Sequence, residues 1–289
     1  MSGSGTRVAI ALTGLLFTAP IVSAQTEWEN PVKKTLRDGK PVVGLTITIP
    51  STDVAARAAS LGFDFLWIEM EHSPITLETM HNMVLATRGT KTIPIVRVPV
   101  NELWTAKRVL DSGALGVIFP FVSTPELARQ AVAACKYPPL GLRGSGMGLA
   151  SLRWPAPEGY VDFADRNVMV ITIIEQAQAV ERIEEIASVP GIDVIYIGPS
   201  DLSFSMGFRG RQDEPRLKDA IAKVVAAAKR HSIPLGRPLA SAAQANDLIK
   251  EGFQFLQAPS ELGMIAAGAR PLLEALGKGG PETTPRSLY

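Results

Sequence analysis

Few residues in this chain place polar chemistry beside apolar surroundings, and most of them stand where an apolar run stops. Phe65-Leu66-Trp67-Ile68 leads into Glu69-Met70-Glu71-His72, and Ile93-Pro94-Ile95-Val96 leads into Arg97. Val170 to Ile174 leads into Glu175, and Val194 to Ile197 into Gly198-Pro199-Ser200-Asp201. Two carboxylates such as Glu175 and Asp201, ending neighbouring strands, would repel each other, and a divalent cation removes that conflict. Oxygen-only ligation with open positions suits Mg²⁺, Mn²⁺ or Co²⁺ and leaves room for a chelating substrate. A plainer reading makes Glu175 the start of a helix and Asp201 the cap of a short turn, because acids favour helix N-termini. Spacing alone does not choose between the two.

His72 is the best placed of the three histidines for general acid/base work, since imidazole titrates near neutral pH. His81 falls inside a helical pattern and His231 at a helix end, where a cation suits the dipole. A capping or salt-bridged role for His72 stays open. Arg97 ends an apolar strand, and a guanidinium is costly to bury without an anionic partner. That partner is either a substrate or a neighbouring glutamate. The single cysteine, Cys135, sits in an apolar helical run and reads as a small buried hydrophobe; no intrachain disulfide is possible.

These groups do chemistry together only if the fold gathers the ends of their strands. From Pro41 onward, β-rich apolar runs alternate eight times with helical patterns, the signature of a parallel sheet built from βα units. The strands are expected at 42–49, 63–69, 93–98, 116–121, 168–174, 194–198, 233–238 and 253–258. Most are continuously apolar, as strands covered on both faces must be. An open doubly wound sheet gives the same alternation, but eight even repeats without a phosphate fingerprint favour closure into a (β/α)₈ TIM barrel. Gly141, Gly144, Gly146 and Gly148 follow Tyr137-Pro138-Pro139 rather than a strand, so they make a weak dinucleotide loop. No linker divides the chain, which gives a single domain over 25–276 and a Gly/Pro/Thr-rich tail at 277–289. The longest irregular piece, 136–167, is expected to be functional, as long loops in compact barrels usually are. The active site is expected at the C-terminal ends of the strands, where all the residues above fall.

The 289 residues carry 29 Lys and Arg against 28 Asp and Glu, a net charge of +1, with the basic residues scattered. Such a balance gives no attraction for phosphate backbones, so nucleic acid is excluded as a partner class. At the amino terminus, Arg7, the apolar stretch Val8 to Phe17, and Val22-Ser23-Ala24 before Gln25 read as a cleavable export signal over 1–24. The stretch is shorter than the roughly 20 apolar residues that a membrane span needs. The expectation is therefore an exported, periplasmic or secreted protein with no stable span after cleavage.

Several segments together carry a resemblance. Glu71-His72-Ser73-Pro74, Val96-Arg97-Val98-Pro99, Tyr137-Pro138-Pro139 with Gly141-Leu142-Arg143-Gly144, Ile174-Glu175, and Tyr196 through Ser203 resemble, in the right order, the HpcH/HpaI aldolase family. That family is also called the 4-hydroxy-2-oxoheptanedioate aldolase family. The resemblance implies a class II pyruvate aldolase that cleaves or forms 4-hydroxy-2-oxo acids through a pyruvate enolate. It implies a cation (Mg²⁺, Mn²⁺ or Co²⁺) on Glu175 and Asp201, with catalysis by His72, Arg97 and Asp111. Arg97 and the backbone around Gly198 and Ser200 would receive the substrate, and Glu69 and Glu71 would hydrogen-bond water around the cation. Asp111 is the aspartate that the family pairs with its histidine, yet here it falls near a helix end away from the strand tips. Ile173 stands where the family often has glutamine and Met70 where glycine is common, so the pocket is less polar and its substrate is open. The partners implied are a 2-oxo acid, an aldehyde and further copies of the chain, often six with exchanged C-terminal helices. The alternatives are a related barrel lyase or decarboxylase acting on another 2-oxo acid or an acyl-CoA, and an exported binding protein without turnover.

Overall fold

A computed structural model describes residues 28–278 except Pro155, Pro157 and Ala240, together with Met1 and Gly3. The expected signal segment and most of the expected tail lie outside the described residues. The chain begins with α1 (Pro31–Arg37), β1 (Val42–Ile47), α2 (Thr52–Ser60), β2 (Phe65–Glu69), α3 (Leu77–Ala86), β3 (Ile93–Arg97), α4 (Leu103–Asp111) and β4 (Gly116–Phe119). It continues through α5 (Pro125–Cys135), α6 (Gly148–Arg153), α7 (Tyr160–Asn167), β5 (Met169–Ile174), α8 (Ala177–Glu181), α9 (Ile183–Ala187) and β6 (Val194–Ile197). The last third is α10 (Pro199–Ser205), α11 (Pro215–Arg230), β7 (Leu235–Pro238), α12 (Ala242–Glu251), β8 (Phe253–Ser260) and α13 (Glu261–Ala275). All eight strands pair in parallel and in chain order, β8 closing on β1. This is the expected (β/α)₈ TIM barrel, a single domain.

The strands close because most are apolar on both faces; β2, β3, β4, β5 and β6 are buried at every residue. Helix starts follow the chemistry read from the sequence. Ser51, Thr76 and Thr124 each accept an N–H from the first turn of the helix that follows, satisfying a donor that the helix itself leaves unpaired. Gly252 ends α12 in the left-handed region at φ 103°, a conformation that favours glycine.

The 136–167 segment departs from its expected role. It joins a helix to a strand, so it lies at the N-terminal end of the barrel, away from the strand ends that carry Glu69, Arg97 and Glu175. It also contains α6 and α7 instead of remaining irregular. Its side chains clamp that end: Trp154 Nε1 donates to Gly113 O at 2.8 Å, and Arg153 Nη2 to Thr87 Oγ1 at 2.8 Å. Asn30 donates two hydrogen bonds to Asn167, from its backbone N–H to Oδ1 at 2.7 Å and from Nδ2 to the carbonyl at 2.9 Å, tying α1 to the same layer. The C-terminal helix α13 is the opposite case. Of its residues only Glu261 is buried, while Leu262, Ile265 and Leu272 stand exposed.

Inside the lower barrel, Phe65 occupies the space that a side chain on Gly44 would need. A Cβ there would stand 2.1 Å from Phe65 Cε2, and the Phe65 ring is stacked on Phe255 at 4.2 Å. Gly44→Ala should therefore lower stability by about 1–3 kcal/mol through overpacking. Adding Phe65→Leu should recover part of that loss, because residues in contact do not behave additively. Denaturant unfolding of the three variants checks this, and a Gly44→Ala chain as stable as the wild type contradicts it.

Candidate active site

The register of the barrel brings the site together. Glu69 at the end of β2 is paired with Arg97 at the end of β3, so both side chains enter the barrel mouth at one level. Arg97 Nη2 forms an ion pair with Glu71 and stands 3.6 Å from Glu175 Oε2, while Nη1 is 3.5 Å from Glu69 Oε2. Sequence had left the partner of Arg97 open between substrate and glutamate; the structure gives it three glutamates, with its Nε buried and without a hydrogen bond.

Each carboxylate is held differently. Glu69 is fully buried and accepts N–H groups from Glu71 (2.7 Å), His72 (3.1 Å) and the Trp67 indole (3.0 Å). Glu175 follows β5 directly and accepts the Phe121 N–H through Oε1 at 2.7 Å. Phe121 sits at φ 54°, an uncommon conformation for a residue with a side chain, and it aims that N–H at the carboxylate. Gly198 keeps room for the same group, since a Cβ there would come within 3.2 Å of Glu175 Oε2. Asp201 is exposed in the first turn of α10, four residues past the end of β6 rather than at the strand end itself. Its charge suits that helix start as well as a cation. The plainer reading of Asp201 is thus met in part, while Glu175 precedes α8 rather than starting it.

His72 is half-exposed beside the site, its Nε2 3.4 Å from Glu71 Oε2. Ser200 and Gly198 line the same cavity, of about 300 Å³, with His72, Arg97, Glu175 and Asp201. Asp111 is not brought to this group. It ends α4 at the other end of the barrel, where its carboxylate receives Arg143 Nη2 at 2.9 Å. Arg143 itself is buried over the rings of Tyr137 and Tyr160.

Three lining residues were not singled out from the sequence: Trp67, Tyr196 and Gln257. The rings of Trp67 and Tyr196 meet at 4.9 Å, Tyr196 donates to Gln257, and Gln257 Nε2 donates to Thr46 Oγ1 at 2.8 Å. With Ile173, which is buried and lines the cavity, they give the mouth an aromatic and apolar floor. Strand alternation was the signal available, because Trp67 stands two residues before Glu69 and Tyr196 two before Gly198.

Glu69, Glu71, Glu175 and Asp201 outnumber the one guanidinium among them. Burial pushes the Glu71 carboxyl up to about 7, and Glu175, Glu69 and Asp201 add to the rise against the pull of Arg97. Burial likewise raises Glu175 to about 7, opposed by Arg97 and the Phe121 N–H. Burial works against the charge on Arg97, but Glu69, Glu71 and Glu175 outweigh it and raise its pKa. Among the described residues, no three His, Cys, Asp or Glu side chains converge to hold a metal. A cation at Glu175 and Asp201 would therefore take its remaining ligands from substrate and water. The donor chemistry fits one: two hard oxygen ligands in a pocket with surplus negative charge.

A carboxyl whose folded-state pKa is raised favours the folded chain while protonated. For Glu71 and Glu175 that contribution is complete below about 4.5 and is lost as pH climbs toward about 7. The metal-stripped protein should accordingly melt higher at about pH 5 than at about pH 8, and Glu71→Gln with Glu175→Gln should flatten the difference. Thermal melts across that range check this, and a slope of opposite sign in the wild type overturns it.

With the geometry in hand, similarity to known proteins becomes informative. The sequence profile of the HpcH/HpaI aldolase/citrate lyase family matches residues 44–267. The chain is 35% identical over 241 residues to the 2-dehydro-3,6-dideoxy-6-sulfogluconate aldolase of Pseudomonas putida, covering 83% of this chain and 94% of that protein. It is 34% identical over 228 residues to a 5-keto-4-deoxy-D-glucarate aldolase of Klebsiella pneumoniae, covering 79% and 88%. Among solved structures, an HpcH/HpaI aldolase/citrate lyase family protein of Burkholderia cenocepacia superposes with a TM-score of 0.81 at 32% identity, covering 86% of this chain and 99% of the other. A profile match across most of the barrel, and two aldolases matched over most of their length, make this chain a member of the HpcH/HpaI aldolase/citrate lyase family and a lyase of the aldolase type.

Proposed function

We propose that this chain is a class II aldolase that cleaves or forms 4-hydroxy-2-oxo acids by way of a pyruvate enolate. The observation that carries the reading is the convergence of Arg97 with Glu69, Glu71 and Glu175 at the barrel mouth, beside His72 and Asp201. A Mg²⁺, Mn²⁺ or Co²⁺ ion held by Glu175 and Asp201 would supply positive charge where the 2-oxo acid becomes an enolate. Gly198 and Ser200, at the start of α10, receive the substrate carboxylate, as helix N-termini receive anions. In the cleavage direction the C4 hydroxyl gives its proton to His72, the C3–C4 bond breaks, and its electron pair passes to the C2 oxygen. The aldehyde leaves, and C3 of the enolate takes up a proton to give pyruvate. Arg97 faces the growing negative charge, and Glu71, next to His72 with a pKa near neutrality, steadies the proton on the imidazole. Glu69, saturated with N–H donors, holds Arg97 in place and with Glu71 orders water at the mouth. The floor of Trp67, Tyr196 and Ile173 suits a compact, largely apolar donor face.

Arg97 is at once an ion-pair partner and a candidate catalytic group, and the two roles separate by measurement. Arg97→Lys and Arg97→Ala should each lower kcat by roughly a hundredfold or more per folded molecule, about 2.7–4 kcal/mol of lost charge stabilisation. Lysine offers a point charge where a planar fork is needed and should not restore the rate. Arg97→Ala should also melt lower, because it leaves buried carboxylates unpaired. Single-turnover pyruvate release from 4-hydroxy-2-oxo acids, with and without EDTA, reads both roles. A folded Arg97→Ala chain with wild-type turnover, or full turnover by protein shown to be metal-free, would sink the reading.

We also propose that the mature protein starts near Gln25 outside the cytoplasm and works as a homo-oligomer with the apolar face of α13 as its seam. Export rests on the Arg7, Val8–Phe17 and Val22-Ser23-Ala24 pattern, and assembly on the exposed Leu262, Ile265 and Leu272. Within one chain Asp111 and His72 stand at opposite ends of the barrel, so the pairing implied by resemblance requires a second copy to present Asp111. Native mass spectrometry of the protein from its own cells tests both claims, through the amino terminus and the mass of the assembly. An intact Met1 on a monomer would overturn both.

A further inference from the structure

A cavity of about 540 Å³ opens at the N-terminal end of the barrel, against about 300 Å³ at the catalytic mouth. None of the residues placed in the aldolase reaction lines it. Its walls come from α1, the residues just before β6, the turn from α11 to β7, and the start of β8. Three cationic side chains line it, Lys33, Arg37 and Lys229, against the single acid Asp193.

That acid is already fully engaged. Asp193 Oδ1 meets Lys33 Nζ at 2.9 Å, and Oδ2 accepts the Val170 N–H at 2.8 Å. Arg37 pairs with Glu29 near the surface. Lys229 Nζ donates to a neutral group, the Glu251 carbonyl, at 2.9 Å. Just behind the wall, Lys136 Nζ is buried against the carbonyls of Asp165 and Val168, and its pKa is lowered by burial and then by Lys33. Of the three lining cations only Lys229 has no carboxylate paired with it among the described residues, so the wall keeps a net positive charge. Ser232 on its wall holds φ 56°, the left-handed turn that ends α11.

A cation on a cavity wall that no carboxylate pairs attracts an anion, and Lys33 and Arg37 beside it add to the field. The volume lies within the range of small-molecule sites, roughly 300–1,000 Å³. We propose that this cavity is a second ligand site, separate from the aldolase centre, which takes a small polyanionic metabolite bearing phosphate or several carboxylates. Its anionic head lies between Lys33 and Lys229, with Arg37 at the entrance. The ligand would bridge α1 and α11 beneath β5 to β8, so it should raise the melting temperature of the full chain.

Calorimetric titration of the full-length mature protein with inorganic phosphate, pyrophosphate and tricarballylate tests this, with and without saturating pyruvate. At least one probe should bind with a Kd below about 1 mM, one per chain, more weakly as salt rises. Phosphate or pyrophosphate binding alone identifies a phosphorylated ligand, and tricarballylate binding alone a polycarboxylate. Lys229→Glu with Arg37→Glu should weaken that binding at least about tenfold, while Asp201→Asn at the catalytic mouth leaves it unchanged. If the charge reversals unfold the chain, as circular dichroism would show, Lys229→Gln with Arg37→Gln carries the same measurement. The proposal is overturned if no probe saturates, if the cavity variants bind as the wild type does, or if pyruvate or Asp201→Asn abolishes the binding.

Discussion

Arg97 enters the barrel mouth on β3 and meets the carboxylates of Glu69, Glu71 and Glu175, whose side chains have little exposure to water. Burying a guanidinium is costly, and so is burying a carboxylate, and each is tolerated here because the other is present. The arithmetic is uneven. One cation faces Glu69, Glu71 and Glu175, with Asp201 nearby, so desolvation falls on the acids and raises Glu71 and Glu175 toward neutrality. Glu69 answers burial differently, accepting three N–H groups that take the place of its water.

That convergence constrains the barrel. Glu69 and Arg97 are register partners, and a slip of one residue between β2 and β3 would turn one of them out of the mouth. Small residues protect the same arrangement: Gly198 leaves room for Glu175, and Gly44 leaves room for the Phe65 ring lower down. The backbone at Phe121 accepts an uncommon conformation to offer its N–H to Glu175. At the other end, the clamp made by Arg153, Trp154 and the Asn30–Asn167 pair holds the strands from which these groups project.

Most of the architecture was legible in the sequence, because strands covered on both faces must be continuously apolar and those runs are visible to within a few residues. The chemical groups were legible for the same reason, since a charge such as Glu69, Arg97 or Glu175 stands out at the end of an apolar run. The pocket floor was not. Trp67 and Tyr196 in apolar strands look like any core residue, and only the closed barrel shows that their face is the one under the mouth. The length of the 136–167 segment says nothing about which end of the barrel it covers. Helix-to-strand connections lie at the N-terminal end whatever their size. Asp111 shows the limit of resemblance, since a matched residue type does not supply the contact that gives it a role within one chain.

The surplus of acids also bears on what can enter the mouth. A 2-oxo acid is an anion, and Arg97 alone cannot draw it in while three buried carboxylates already claim that guanidinium. An anion settles there once some of those carboxylates are neutralised, by protons or by a cation beside Glu175 and Asp201. With Glu71 and Glu175 raised to about 7, protons do so in part around neutral pH and more fully below it. The cation proposed beside Glu175 and Asp201 would do so above that range, where those carboxyls lose their protons. The electrostatic surplus at the mouth therefore makes the entry of an anion depend on what neutralises these acids.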